Sequence, residues 1–347
     1  MRYPHDKGLE RPRNARRELL KQAGAAAIVA GAGLSGSPSA QAQGDAAGAL
    51  PNVPLRMLVG YPAGGGSDIM ARILTDGLKK HGGLNVIVDN KAGASGLIAG
   101  EVLKASPTDG SVIMFAPSAA TAAQKVSRKT MPYDLENDLR PIGLAGITAT
   151  AFVISPTIDV HDLRGYFDWL KRNPSKNQFG TTALGSNTHI VPMRLGMAAG
   201  SPLEPVGYKG AAPLIADISA GHIPAGGGGI TDFLTYHRSN RLRILAVSSR
   251  ERLTSAPELP TMSESGFPQV VYEGWYAFYA PAKMPTELVM AWNRILSDEL
   301  NNAETRQRLI EVGLEPRAST PDEFAARQKR DITQWTADLK AINYEPQ

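Results

Sequence analysis

The stretch YPAGGGSD, residues 61–68, places three consecutive glycines between a strand-like run and a helical pattern. Glycine lets a backbone take positive φ or approach another group closely. The first amide groups of the following helix have no partner inside it, and the helix dipole is positive there. Because the stretch has no lysine or arginine, an anion bound here would be held by main-chain N–H groups. A tight structural turn is the alternative interpretation.

Two further segments repeat the scheme of a strand, a bare loop and a helix. They read QFGTTALGSNTHI (178–190) and EPVGYKGAAPLIADISAG (204–221). Ligands of open α/β sheets bind at the carboxyl ends of strands, where all these loops are expected to lie. The repetition therefore favours a binding cleft over purely structural turns. His189 lies beside one loop, where helix capping or packing explains it as well as ligand contact does.

Signatures of catalysis are missing. GASGL (93–97) departs from the G-x-S-x-G pattern of serine hydrolases at its last position, and YPAGGGSD lacks the lysine of a P-loop. The chain has no cysteine, which excludes disulfides, cysteine nucleophiles and thiolate metal sites. Its histidines are not spaced as ligands on a helix face, so we expect neither a metal nor a cofactor. Ser67 and Asp68 are interpreted as helix-capping residues rather than as catalysts.

Strand-like and helical segments alternate along the chain, which predicts an α/β protein with largely parallel sheets. The C-terminal third is mainly helical, with helices beginning near Pro285 and Pro321. The aromatic run VYEGWYAFYAPAKMP (271–285) predicts a buried strand, although Trp275 could instead line a cleft. The other predicted strands are LRMLVG (55–60), NVIVDN (85–90), SVIMFAPS (111–118), AFVISPT (151–157) and LRILAVSS (242–249), and HDLRGYFDWLKRNP (161–174) is a predicted helix.

The first 42 residues have the features of an export signal. Arg16 and Arg17 precede an alanine-rich apolar run, and Ala40-Gln41-Ala42 forms an A-x-A cleavage site, typical of a twin-arginine signal peptide cleaved near Ala42. A membrane anchor is the alternative, but the run is short for a bilayer. This segment holds seven basic and three acidic residues, leaving 30 of each in the remainder. A neutral mature chain does not favour nucleic-acid binding.

Several of these segments, taken in order, resemble one family. YPAGGGSDIMARILTDGL, VIVDNKAGASGLIAGEVLKASPTDG, FGTTALGSNTH, VGYKGAAPLIADISAGH and GWYAFYAPAKMP are similar to the Bug family, the extracytoplasmic solute receptors of tripartite tricarboxylate transporters. The resemblance covers roughly residues 53–345. It implies a two-lobed periplasmic binding protein of type II character, with two α/β sandwich lobes joined by crossing strands. Lobe 1 would comprise residues 50–150 plus 272–347, and lobe 2 residues 151–271.

The resemblance also implies a ligand and its contacts. Family members hold a small carboxylate, such as a di- or tricarboxylate or a related organic acid, between the lobes for delivery to a membrane permease, here by a monomer in the periplasm. The implied contacts, with Gly228 placed by counting back from LRILAVSS and Trp275 as a cleft residue, are Tyr61, Ala63, Gly64, Gly65, Gly66, Ser67, Asp68, Thr181, Gly185, Ser186, His189, Tyr208, Lys209, Gly210, Gly228 and Trp275.

Two departures and two alternatives accompany this interpretation. Tyr61 stands where the family usually has Phe. Gly228 stands where an Asp or Asn is common, which makes an amino-acid ligand less expected, and Asp232 cannot be assumed to replace it. Presentation of the ligand to a membrane sensor would use the same fold. A periplasmic enzyme on a similar scaffold is a further alternative, disfavoured by the missing catalytic motifs.

Overall fold

The computed structural model describes residues 46–346, so the predicted signal peptide and its cleavage site lie outside the described residues. The strands are β1 (Leu55–Val59), β2 (Val86–Asn90), β3 (Val112–Pro117), β4 (Leu139–Ile154), β5 (Gln178–Thr181), β6 (Glu204–Gly207), β7 (Ala225–Gly229), β8 (Arg243–Val247), β9 (Glu273–Pro281) and β10 (Glu315–Pro316). The α-helices are α1 (Gly66–Gly82), α2 (Leu97–Lys104), α3 (Ala122–Ser127), α4 (Leu163–Arg172), α5 (Asn187–Ala198), α6 (Ala211–Ala220), α7 (Ile230–Arg238), α8 (Thr286–Asn301), α9 (Ala303–Glu311) and α10 (Pro321–Ala341).

The strands form two groups that share β4. In the first group β2, β1 and β3 are parallel, and β9 joins β3 in the antiparallel sense. In the second group β6, β5 and β7 are parallel. Residues 139–149 of β4 pair with β9, and residues 150–154 of the same strand pair with β7. A single 16-residue strand therefore runs through both groups.

This arrangement confirms the expected two-lobed α/β fold with crossing strands. β4 begins at Leu139, well before the strand predicted at 151–157, because the segment 139–150 is also extended and paired. The predicted helices at Pro285 and Pro321 are observed as α8 and α10, where Pro285 is the N-cap and Pro321 the first helical residue. The boundaries of the two lobes remain a prediction.

Strand β7 was not predicted, because AGGGG has low intrinsic strand preference. Its glycines are explained by their neighbours. A Cβ on Gly226 would lie 2.6 Å from Ile218 Cδ1, one on Gly227 2.5 Å from Pro192 Cγ, and one on Gly228 2.4 Å from Phe233 Cε2. Helices α5, α6 and α7 thus press directly onto the backbone of this central strand, and side chains there would force them away.

Hydrophobic clusters on the faces of each strand group hold the helices in place. Met57, Phe115 and Trp292 are fully buried in one cluster of the first group, between β1, β3 and α8. Phe152 and Phe179 are fully buried in the second group, beneath α4 and α5. None of the helices between residues 46 and 346 combines the length and the apolar composition needed to cross a bilayer.

Candidate functional site

A cavity of about 390 Å³ lies where the two strand groups meet, at the carboxyl ends of β1, β5, β6 and β7. The crossing strands also contribute to its wall, through Thr148 and Thr150 of β4 and Tyr276 of β9. Half of the sequence-predicted site residues line it, namely Tyr61, Ala63, Gly64, Gly65, Gly66, Ser67, Lys209 and Gly210. The structure thus brings the glycine loop and the turn after β6 together across one space.

The glycines of the loop have different roles. Gly64 takes positive φ, at 82°, whereas Gly65 has φ −80° and ψ 167°, which any residue adopts. A Cβ on Gly66 would lie 2.7 Å from Thr231 Oγ1 and 3.0 Å from Asp232 Oδ1. Gly66 is therefore needed because α7 approaches α1 closely, and backbone conformation requires glycine only at Gly64.

Helix α1 begins differently from the prediction. Its N-cap is Gly65, and Ser67 and Asp68 lie inside its first turn. The Asp68 carboxylate reaches back to accept hydrogen bonds from Gly64 N at 2.9 Å, Asn90 Nδ2 at 3.0 Å and Arg72 Nε at 2.9 Å. Burial alone would raise its pKa, but these hydrogen bonds outweigh burial and lower it. Asp68 braces the loop from outside the cavity and does not line it.

Four helices direct their N-termini at the cavity. The lining includes residues of the first turn of α1 (Gly66), α5 (Asn187), α6 (Ala211) and α7 (Thr231). The first N–H groups of each helix lack partners within that helix, and the four dipoles add their positive ends at one place. Lys209 and Asp232 are the only lining residues of the described chain with formally charged side chains at neutral pH. The positive potential therefore comes from Lys209 and from main-chain amides at the helix N-termini.

Asp232, which the sequence alone did not place at the ligand, lines this cavity. It lies in the first turn of α7, and its Oδ1 accepts a hydrogen bond from Gly66 N at 3.3 Å. Burial raises its pKa to about 6, and the hydrogen bond from Gly66 N partly offsets this rise. An acid in the first turn of a helix is common for helix stability alone. Only the packing of α7 against α1 reveals that this one faces a cavity.

Two tyrosines of the cavity wall, Tyr61 and Tyr276, lie close to Asp232. Tyr276 Oη and Ser67 Oγ are hydrogen-bonded at 3.1 Å, linking β9 to α1. Burial is the main cause that raises the pKa of Tyr276, and the nearby charge of Asp232 raises it further. The pKa of Tyr61 is likewise raised mainly by burial, and then by Tyr276 and Asp232. Both hydroxyls are consequently neutral hydrogen-bonding groups across the physiological range. Tyr61 thus places an additional hydroxyl near the cavity.

Other predicted residues lie behind the lining and shape it. Ser186 is fully buried, caps α5 by accepting from Thr188 N, and donates to Ala183 O at 2.7 Å. Gly185, at φ 78°, donates its N–H to His189 Nδ1 at 3.1 Å. Burial lowers the pKa of His189 to about 4, so its ring is neutral. Ser186 is therefore a buried residue that supports the loop and does not line the cavity.

Four predicted contacts lie elsewhere. Trp275 is buried against Phe324 with ring centroids 4.9 Å apart and donates Nε1–H to Asp331 at 2.8 Å, as the buried-strand interpretation requires. Tyr208 donates to Asp217 at 2.8 Å, and it and Thr181 line a separate cavity of about 240 Å³. Gly228 does not line the cavity, because the Phe233 ring packs against it, and Gly229 lines the cavity instead.

The loop before α5 contributes residues that sequence reasoning passed over. Asn187 and Thr188 line the cavity directly. Both polar atoms of the Asn187 side chain, and Thr148 Oγ1 on β4, are buried without a hydrogen-bond partner among residues 46–346. Buried polar groups nearly always have partners, so these three atoms are unsatisfied polar groups in residues of the cavity wall. GSNTH in the sequence signals only a helix start, which explains why Asn187 was not selected.

Comparison with known proteins agrees with this geometry. Protein BugT of Bordetella pertussis is 30% identical over 314 residues, 90% of this chain and 94% of that protein. The solved structure of R. palustris Rpa4515 with adipate is 25% identical, covers 86% of this chain and 99% of that one, and has a TM-score of 0.82. The structure of the periplasmic binding protein BugD is 26% identical, covers 86% and 100%, and has a TM-score of 0.79. Residues 70–344 match the tripartite tricarboxylate transporter family receptor, and the chain belongs to this family of solute-binding receptors.

Proposed function

We propose that this receptor captures a small carboxylate between its two lobes outside the cytoplasm and delivers it to the permease of a tripartite tricarboxylate transporter. Residues 1–42 act as the export signal, cleaved near Ala42. Residues 50–150 plus 272–347 form one lobe and residues 151–271 the other. The sharing of β4 between two strand groups supports this division.

The convergence of four helix N-termini on one cavity carries the proposal. An anion there gains main-chain hydrogen bonds and the favourable ends of four dipoles. The glycine loop places no side chain between the start of α1 and the cavity, and Gly66 in particular permits α7 to close against α1. Asn187 and Thr148 line the same cavity and are further polar residues for contact with the ligand.

The solved relatives support a carboxylate. The R. palustris protein, which is 25% identical over most of its length, was solved with adipate. The argument against an amino-acid ligand that rested on Gly228 no longer holds, because Asp232 and not Gly228 faces the cavity. The test must therefore include an amino acid beside the plain carboxylates.

A thermal-shift screen of residues 43–347 tests the proposal. Succinate, glutarate, adipate, citrate and aspartate are each compared with adipamide, which has the shape of adipate but no charge. A ligand present at about 100 times its Kd stabilises the fold by about 2.7 kcal/mol, which raises Tm by several degrees. We expect at least one plain carboxylate to do so and adipamide to have no effect. Equal shifts with adipamide, or none with any acid, would contradict a carboxylate receptor.

A further inference from the structure

Asp232 places a carboxylate of the protein itself where the proposed solute carboxylate would bind. Its Oδ1 accepts the hydrogen bond of Gly66 N, at 3.3 Å, across 166 residues of sequence. Gly66 is the first residue of α1, and its amide is one of the N–H groups that have no acceptor within the helix. One donor of the anion-binding loop is therefore already engaged by the opposite side of the cleft.

The groups around Asp232 offer little to balance a second negative charge. From the loop after β1 it is faced by Tyr61, from β9 by Tyr276, and from α1 by the Gly66 amide. Both tyrosines are neutral hydroxyls whose pKa values are raised. Within the part of the chain that the structure describes, Lys209 is the only cation lining the cavity, and no hydrogen bond or ion pair joins it to Asp232.

Two carboxylates that share such a site cannot both remain ionised, because each raises the pKa of the other. The existing pKa of Asp232, about 6, already lies near neutrality. A bound solute carboxylate adds a further negative charge beside it. The favourable outcome is that the two carboxylates share one proton. Asp232 then becomes a neutral acid whose O–H donates a hydrogen bond to the solute. The Gly66 amide is released and can donate its hydrogen bond to the solute instead.

Resting on the proposed carboxylate site, we infer that Asp232 is a specificity-determining residue that makes solute capture proton-linked, so that the protein takes up one proton at this carboxyl group for each carboxylate it binds. While ionised, Asp232 competes with the solute for the N-terminus of α1. The proton comes from solvent and is returned when the solute leaves. The residue thus selects solutes that present a hydrogen-bond acceptor, and not an ammonium group, at this end of the cavity.

The linkage predicts how affinity changes with pH. If only the protonated form binds, the apparent Kd equals the intrinsic Kd divided by the protonated fraction. With a pKa near 6, that fraction falls about 50-fold between pH 6 and pH 8, so Kd should rise by about that factor. Simple dicarboxylates are almost fully ionised at pH 7 and pH 8 but not at pH 6, so proton uptake measured at pH 7 reports mainly on the protein.

Calorimetric titration of the wild type with succinate, glutarate and adipate tests the inference. Titrations at pH 7 in buffers of different ionisation enthalpy should show uptake of about one proton per solute. In Asp232→Asn the amide mimics the neutral acid, so binding should be nearly independent of pH from 6 to 8 and tighter than wild type at pH 8. Asp168→Asn, an exposed aspartate on α4, is the matched control and should behave as wild type.

The outcomes separate the inference from the proposed function. If no carboxylate binds the wild type, the proposed function itself fails. Binding without proton uptake and without pH dependence overturns the role of Asp232 while leaving the carboxylate site intact. Loss of binding by Asp232→Asn at every pH, together with wild-type affinity for aspartate that does not fall towards pH 8, would mean that the ionised carboxylate recognises a cationic group on the solute. Because proton uptake is measured on the wild type, the test does not depend on the variant folding.

Discussion

At the scale of single residues, two aspartates on opposite sides of one loop show how surroundings determine chemistry. Asp68 receives hydrogen bonds from Arg72, Gly64 and Asn90, and its pKa is lowered. Among the described residues, Asp232 accepts a hydrogen bond from the Gly66 amide and is otherwise faced by tyrosines, and its pKa is raised. The first is therefore a fixed anion that braces the loop. The second can change its charge under ordinary conditions.

His189 allows a second test at this scale, on stability. Its burial lowers the pKa from an ordinary value of 6.5 to about 4, so the folded state binds its proton only at low pH. As pH falls from 7 to 4 the unfolded chain is protonated first, and stability is lost over that window. His189→Asn keeps an acceptor for Gly185 N but cannot titrate. Between pH 7 and pH 4 the free energy of unfolding should therefore fall by about 3 kcal/mol less in the variant than in the wild type.

Denaturant titrations at several pH values measure this difference directly. His161→Asn is the control, because the His161 side chain is 72% exposed. The control should follow the wild-type pH dependence. Parallel curves for wild type and His189→Asn would contradict a buried neutral histidine.

At the scale of elements, the close approach of α1 and α7 determines the shape of the site. Gly66 on α1 faces Thr231 and Asp232 on α7, with no room for a methyl group. The same kind of contact occurs on β7, where Gly228 leaves space for Phe233. Glycine serves in both places to bring two elements together, and the cavity dimensions follow from that proximity.

Gly66→Ala tests the importance of this contact. The added methyl group should force α7 away from α1, weakening carboxylate binding at least 10-fold and lowering the free energy of unfolding by about 1–3 kcal/mol. Gly82→Ala, at the other end of the same helix, meets nothing within 4 Å and should be neutral or stabilising by about 0.5–1 kcal/mol. Calorimetry and denaturant titration of both variants provide the measurements. Wild-type affinity in Gly66→Ala would show that the two helices need not approach.

At the scale of the whole molecule, the long strand β4 and its partner β9 connect the two strand groups. Thr148 and Thr150 of β4 and Gly274 of β9 line the cavity at the point where β4 passes from one group to the other. The cavity therefore lies over the segment about which the lobes would rotate. A ligand that touches both sides stabilises the closed arrangement by its differential affinity for that state.

Small-angle scattering of residues 43–347 tests this closure. With a carboxylate identified in the screen, the radius of gyration should decrease on binding. Gly66→Ala, in which α7 cannot approach α1, should show a smaller decrease at saturation. An identical profile with and without ligand in the wild type would mean that the lobes do not move.

The sequence by itself determined the class of fold and the location of most strands and helices, and it identified the glycine loop as a candidate anion-binding element. These features depend on local patterns: apolar runs for β1 and β3, helical periodicity for α4, and small residues at strand ends. The resemblance of ordered motifs then indicated the family. Each of these signals lies within a short stretch and does not require knowledge of what packs against it.

Only the tertiary structure decided which residues meet. Asp232 and Gly66 are 166 positions apart, and no local pattern relates them. Counting along the chain cannot show that Phe233 packs against Gly228, and Trp275 lies in the core because its strand presents that face to Phe324. Packing between distant elements buries Asp232, and this burial raises its pKa. The charge that a ligand would meet in the cavity therefore depends on the tertiary packing.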